Sequence, residues 1–201
     1  MTRAMKLCLF GALALLLAVP AFALVPGDDA PGFTLKDTDG KEHSIASYLA
    51  AGKVVVLEWF NPDCPFIIKH HKNHKTMNET YAKFADRGVV WLAINSNAPG
   101  KQGHGDKRNR QAVIDYALPF PLLLDENGVV GQAYGAKTTP HMFVIGGKGK
   151  VLYAGAIDDD RSAGEPGDVN YVADALEAVL AGKTPKVQET DPYGCSVKYV
   201  K

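Results

Sequence analysis

The chain has 201 residues, 22 basic and 22 acidic side chains, and 46% hydrophobic residues. That length suits one domain with short extensions and supplies enough apolar material for a core that needs no staples. A formal charge of zero gives no electrostatic basis for binding nucleic acid or an anionic membrane surface.

In chain order, "MTRAMK" is basic, "LCLFGALALLLAV" is apolar but short for a membrane span, and "PAFA" ends on an A-x-A pattern at Ala21 and Ala23. This predicts a secretory signal peptide over residues 1–23. Its removal takes Cys8 with it and leaves Cys64 and Cys195 in a secreted or periplasmic protein. In such a compartment a disulfide is permitted. No later segment is apolar and long enough to span a bilayer, so no stable membrane insertion is expected after cleavage.

The mature chain reads as one domain over residues 24–185 and a tail over residues 186–201 that carries Cys195. "GFTLKDTDGKEHSI" predicts a hairpin turning at Asp39-Gly40. "SYLAAGK" suits a short helical turn. Val54 to Phe60 and Val89 to Asn95 are β-branched and almost continuously apolar, as in strands buried on both faces. Between them a helix is expected from Pro65 to Arg87, with Pro65 at its first position and Gly88 as its stop. Its middle, "HHKNHKTMN", forms helix poorly and interrupts the pattern. "SNAPGKQGHGDK" is a polar loop. "RNRQAVIDYAL" predicts a helix, "FPLLLDENG" a strand and turn, and "VVGQAYGA" a short helix. "TTPHMFVIGGKGKVLYAGAI" predicts a hairpin and "NYVADALEAVLAG" a closing helix. Two buried strands joined by a helix, followed by a hairpin, predict a three-layer α/β/α sandwich with a mixed central sheet and an N-terminal β-hairpin.

Cys64 stands between a buried strand and a helix start, where unpaired backbone N–H groups favour a thiolate nucleophile. Asp63 opposes that effect by its charge. Glu58 lies inside the apolar "VVVLEWF". Burial there makes it a group able to take or give the proton of thiol exchange, whereas an outward orientation would place it at a polar sheet edge. Thr139-Pro140 precedes a strand, where a cis or a trans proline is allowed. The cis form facing the thiol leaves a backbone edge at Thr139 free for an extended substrate. His141 is a candidate imidazolium partner for Cys64, or a solvent-exposed residue at a strand start. His70 and His74 share a helical face that suits a metal ion, but Met77, Tyr81 and Phe84 continue the stripe and favour packing. The expectation is therefore no metal and no cofactor.

The blocks "WFNPDCPF", "GVVWLAINS", "AYGAKTTPHMFVI", "YAGAIDD" and "YGCSVKY" resemble the thioredoxin superfamily. Within it the chain resembles the redoxin group related to alkyl hydroperoxide reductase and thiol-specific antioxidant proteins, exported members especially. The resemblance covers the chain from about Asp28 onward. It implies a thioredoxin-like fold, a buried acid at Glu58, a cis proline at Pro140 and an antioxidant thiol oxidoreductase with Cys64 as nucleophile. Its substrate would be a peroxide or a protein or small-molecule disulfide, and the sequence does not identify the thiol reductant. Two positions depart from the pattern. Ile67 replaces the second cysteine of C-x-x-C, and Asn61 stands where peroxiredoxins carry Thr or Ser. The peroxide-activating arginine of that group has no motif-matched counterpart, and Arg161 in "DDDRS" is a candidate by proximity of loops only. The resemblance permits Cys195, after a link that reads as flexible, to resolve an oxidised Cys64. A lasting Cys64–Cys195 disulfide on a non-catalytic binding module, or an unpaired Cys195, are the alternatives.

Overall fold

The computed structural model of the protein describes residues 24–200. The predicted signal peptide lies outside them. A seven-stranded mixed sheet forms the middle layer. Its strands are β1 (Thr34–Asp37), β2 (Glu42–Ser44), β3 (Val54–Trp59), β4 (Val89–Asn95), β5 (Leu122–Leu124), β7 (Met142–Ile145) and β8 (Val151–Gly155), in the order β2-β1-β5-β4-β3-β7-β8. A separate two-stranded sheet joins β6 (Thr138–Thr139) to β9 (Cys195–Ser196). Strands β3, β4 and β5 run parallel, while β7 and β8 complete the far side antiparallel. The N-terminal hairpin extends the near edge by pairing β1 with β5. The expected thioredoxin-like sandwich is therefore present.

All six residues of β3 are buried, because the strand is central and both its faces are covered. The period of two assigns Val54, Val56 and Glu58 to one face and Val55, Leu57 and Trp59 to the other. On the first face the core contains Cys64, Ile67, Met77, Phe84, Ala112, Val172 and Leu176. These residues bring in α2 (Pro65–Ile68), α3 (Thr76–Phe84), α4 (Asp106–Asp115) and α6 (Tyr171–Leu180). The opposite face packs on Ile45 of α1 (Ile45–Ala50) and on Val130 of α5 (Val129–Ala133). Asn170 caps α6 by accepting from the Ala173 N–H at 2.9 Å, as its position before an apolar helix predicts.

The expected helix from Pro65 to Arg87 is broken. After α2, Lys69–Asn73 form a π-helical turn, Lys75 adopts a positive φ of 55°, and α3 starts at Thr76. A π-turn widens the backbone and changes the phase of the side chains that follow. Here it turns Lys69, His70 and His71 into the protein, all three buried. The tail is not a flexible link. Tyr193 and Val197 are buried, and the Val197 N–H donates to the Lys137 carbonyl at 3.0 Å. The Lys198 N–H donates to Asn97 Oδ1, also at 3.0 Å, and the Tyr199 hydroxyl to the Ala136 carbonyl at 2.9 Å.

Candidate active site

The turn that carries Cys64 is fixed from several sides. The Phe60 N–H donates to the Ile94 carbonyl at 2.8 Å, continuing the sheet by one residue. Asn61 Oδ1 accepts from the Asp63 N–H at 3.0 Å, and the Asn61 carbonyl accepts from the Cys64 N–H at 3.1 Å. The Pro62 carbonyl accepts from the Tyr116 hydroxyl and from the Arg108 guanidinium. Arg108 Nε also reaches Asp63 Oδ1 at 2.8 Å. The Asp63 charge, expected to oppose a thiolate, is thus paired. Asn61 is fully buried and packs against Gly103, where a Cβ would stand 2.1 Å from its Oδ1. A side chain at 103 would displace the turn.

Cys64 is the N-cap residue of α2, with Pro65 at the first helical position. Its sulfur has no solvent exposure and its thiol donates to the Thr139 carbonyl at 3.0 Å. The Thr139–Pro140 peptide is cis. Thr139 is fully buried and pairs across the small sheet with Cys195, while Thr138 pairs with Ser196. Thr139 Oγ1 also donates to the Cys195 carbonyl at 3.4 Å. One residue therefore contacts both cysteines. Burial first, then the interaction with the neighbouring Cys64, push the Cys195 thiol up to about 12. At neutral pH Cys195 is a protonated thiol. Both cysteines are free.

Glu58 is fully buried on the face of β3 that Cys64 covers, so the polar-edge alternative does not hold. Its Oε2 accepts from Trp91 Nε1 at 2.9 Å, and its Oε1 lies 2.6 Å from His71 Nε2. The other ring nitrogen, His71 Nδ1, is 2.9 Å from Asn78 Oδ1, whose amide nitrogen is committed to the Tyr116 and Ala117 carbonyls. Since Asn78 Oδ1 only accepts, Nδ1 carries a hydrogen. Glu58 Oε1 and His71 Nε2 then share one proton between them. The hydrogen bonds of Glu58 go to His71 and Trp91 rather than to Cys64 itself.

Three expectations are corrected. His141 is neither exposed nor a partner of Cys64. It sits against Phe143 on the opposite face of the sheet, ring centroids 4.5 Å apart, and its Nδ1 accepts from the Lys137 N–H at 3.3 Å. Burial first, and the Lys137 charge second, lower its pKa to about 3, so no imidazolium is present at neutral pH. Arg161 does not approach Cys64. It binds the Asp191 carbonyl and carboxylate and lies over the Tyr193 ring, which holds the tail. His70 and His74 take different partners rather than one shared ligand position. His70 Nε2 donates to the Tyr193 hydroxyl at 2.9 Å, and that hydroxyl donates to Asp158. His74 lies 3.6 Å from Glu165 instead. Among the described residues no group of three His, Cys, Asp or Glu side chains converges on a metal position.

The residues that sequence reading missed are His71, Trp91, Arg108 and Tyr193. A signal existed for the first. An acid inside a central strand needs donors, and a histidine run lies in the helical segment directly after the nucleophile. Lys69 gave no such signal. It is fully buried, and its ammonium donates to the Asp160 and Ser162 carbonyls at 2.9 and 3.0 Å.

A cysteine at a helix cap, a proline loop against its sulfur and a buried acid beneath them define a thioredoxin-fold thiol protein. The sequence model of the AhpC/TSA family matches residues 26–154, and the chain belongs to that family. The thiol-disulfide oxidoreductase ResA of Geobacillus thermodenitrificans is 32% identical over 130 residues, 64% of this chain and 68% of that one. ResA of Bacillus subtilis is 30% identical over 126 residues, 63% of this chain and 64% of its own length. The chain thus spans about two thirds of the curated relatives it matches. A crystal structure of a hypothetical protein from Sinorhizobium meliloti superposes with a TM-score of 0.78 at 26% identity, covering 89% of this chain and 97% of that one.

Proposed function

We propose that the protein is an exported thiol oxidoreductase in which Cys64 is the nucleophile and Cys195 the resolving thiol. The observation that carries this reading is Thr139. It accepts the Cys64 thiol on its carbonyl and pairs with Cys195 across the small sheet. Against a disulfide, the Cys64 thiolate forms a new S–S bond and expels one thiolate. The Cys195 thiol then attacks the Cys64 sulfur, closes the intrachain disulfide and releases the second thiol. Against a hydroperoxide, the thiolate takes one oxygen as the O–O bond breaks and an alcohol or water leaves. Cys195 then displaces water from the sulfenic acid. Either route oxidises two thiols by two electrons, and a dithiol reductant returns them.

The Glu58–His71 pair, which shares a proton beneath the Cys64 turn, supplies or receives the proton of the exchange. The ResA relatives carry the name of thiol-disulfide oxidoreductases, which supports the disulfide route. The antioxidant, peroxiredoxin-like route rests on the family. Export rests on the basic and apolar leader of residues 1–23, and with it goes the division into a domain over 24–185 and a tail over 186–201.

Intact mass under non-reducing conditions tests the reading. After one equivalent of oxidant, the mature protein is expected to lose two hydrogens. Cys195→Ser is expected to gain one oxygen from peroxide, or one half of a small disulfide as an adduct. Cys64→Ser is expected to stay unchanged. Oxidation of Cys64→Ser at the rate of the wild type would remove Cys64 as the nucleophile. A Cys64–Cys195 bond that resists mild reductant would favour a non-catalytic binding module.

A further inference from the structure

The edge beside the cis proline is the place where an extended substrate would add a strand next to the nucleophile. In this chain it is already occupied. Thr138 and Thr139 pair antiparallel with Ser196 and Cys195, which stands directly opposite Thr139. The fit is close. Gly194 has a φ of 126°, and a Cβ there would stand 2.2 Å from the Thr139 carbonyl oxygen.

The strand is anchored at both ends. On the N-terminal side the buried Tyr193 hydroxyl bonds Asp158 and His70. On the C-terminal side the Val197 N–H bonds Lys137, Lys198 pairs with Asn97 and Ala98, and the Tyr199 hydroxyl bonds Ala136. With the strand in place the Cys64 sulfur has no exposure.

We propose that the C-terminal strand is a built-in substitute for a substrate strand and restricts the enzyme to small oxidants, low-molecular-weight disulfides or hydroperoxides, at the expense of polypeptide disulfides. This rests on Cys64 being the nucleophile. Pairing of a polypeptide with Thr139 requires the whole strap from Tyr193 to Tyr199 to leave, at the loss of every anchor named above. Admission of a small oxidant requires only local opening of a two-residue ladder, which is far less costly than release of the whole segment. After the first step the strand already holds Cys195 against the modified sulfur, so resolution needs no second molecule.

The test isolates the first step in a Cys195→Ser background, by single-turnover loss of the Cys64 thiol. The probes are 2-hydroxyethyl disulfide, hydrogen peroxide and an unstructured peptide bearing a mixed disulfide. One or both small oxidants are expected to react at least about 100-fold faster than the peptide, and which one leads identifies the class of oxidant. Adding Gly194→Val, which drives the strap off Thr139, is expected to raise the peptide rate at least about tenfold more than it raises the rates of the small oxidants. Gly194→Ala, a smaller intrusion, is expected to move the peptide rate the same way by less, so a folding failure of the valine variant does not decide the outcome. Equal rates for peptide and small oxidants in the Cys195→Ser protein, or an unchanged ratio in both glycine variants, would overturn the restriction while leaving Cys64 as the nucleophile. A Cys64 thiol inert to all three probes in every variant would overturn the nucleophile and the restriction together.

Discussion

Replacing His71 with leucine is expected to destabilise the protein by about 3–5 kcal/mol, the cost of leaving one member of a buried hydrogen-bonded ionisable pair without the other. For a domain of this size that corresponds to a fall in Tm of about 10 °C. Glu58 and His71 are both fully buried or nearly so and lie 2.6 Å apart. Without the imidazole, Glu58 retains Trp91 Nε1 on one oxygen and faces hydrocarbon with the other. Urea unfolding at pH 7 measures the loss. A double change, Glu58→Leu with His71→Leu, removes the acid as well as its donor and is expected to recover most of the stability, since well-packed apolar residues commonly replace buried polar pairs at little cost. A His71→Leu protein within about 1 kcal/mol of the wild type would show that the pair does not share a buried proton bond.

Glu58→Gln separates stability from chemistry. It keeps a hydrogen-bonding group opposite His71 and Trp91 but holds no exchangeable acid proton. If the pair moves the proton of thiol exchange, the rate of Cys64 oxidation is expected to fall by about 100-fold with little change in unfolding free energy. A rate within about threefold of the wild type would assign Glu58 to the core alone.

The parts of this molecule that were legible in its sequence are those dictated by local pattern. Val54–Trp59 and Val89–Asn95 are continuous apolar runs because both faces of a central parallel pair are covered. Asp39-Gly40 turns the hairpin, Pro65 opens α2, and Cys64 caps it. Glu58 was legible as an anomaly, a carboxylate where the pattern demands an apolar side chain. Its partner was not, because the π-turn at Lys69–Asn73 breaks the helical period on which assignment of faces depends. With an unbroken helix His70 and His74 would align. With the π-turn, His71 meets Glu58, and His70 meets a tyrosine 123 positions away in sequence.

The tail failed for a related reason. Strand β9 has two residues, too few for a period of two to register, and its anchors are single side chains whose partners lie on distant loops. The face that His141 takes is not legible without a strand register. It follows Pro140 in sequence, but alternation along β7 puts it with Phe143 on the side away from Cys64.

That placement has a consequence for stability in acid. His141 and His70 are both buried, and burial first, then neighbouring positive charge, lowers each to about 3 in the folded protein. The charges around them are Lys137 and Asp191 for His141, and Lys69, His71, His74, Asp160 and the Asp158 carboxylate 4.0 Å from Nδ1 for His70. In the unfolded chain each titrates near the ordinary histidine value, about 6.5. Between those two values the unfolded state binds more protons than the folded one, so stability falls as pH falls. Each histidine contributes about 1.4 kcal/mol per pH unit, the two together about 3. From pH 6 to pH 4 the loss is about 5 kcal/mol, comparable with the whole stability of many domains, and acid unfolding is expected near pH 4.

Carboxylates held below their usual range, Asp37 and Glu177 among them, add their losses at lower pH, below the unfolded carboxylate values of about 4. The window from pH 6 to pH 5 therefore belongs to the histidines. His141→Asn retains an acceptor for the Lys137 N–H but cannot titrate. Urea unfolding at half-unit steps is expected to show a slope in that window shallower than the wild type by about 1 kcal/mol per pH unit. A wild-type stability that is flat from pH 6.5 to pH 4.5 would mean that both imidazoles accept protons in the folded state. They would then have to be stabilised by a carboxylate, which for His70 is Asp158, 4.0 Å from its Nδ1.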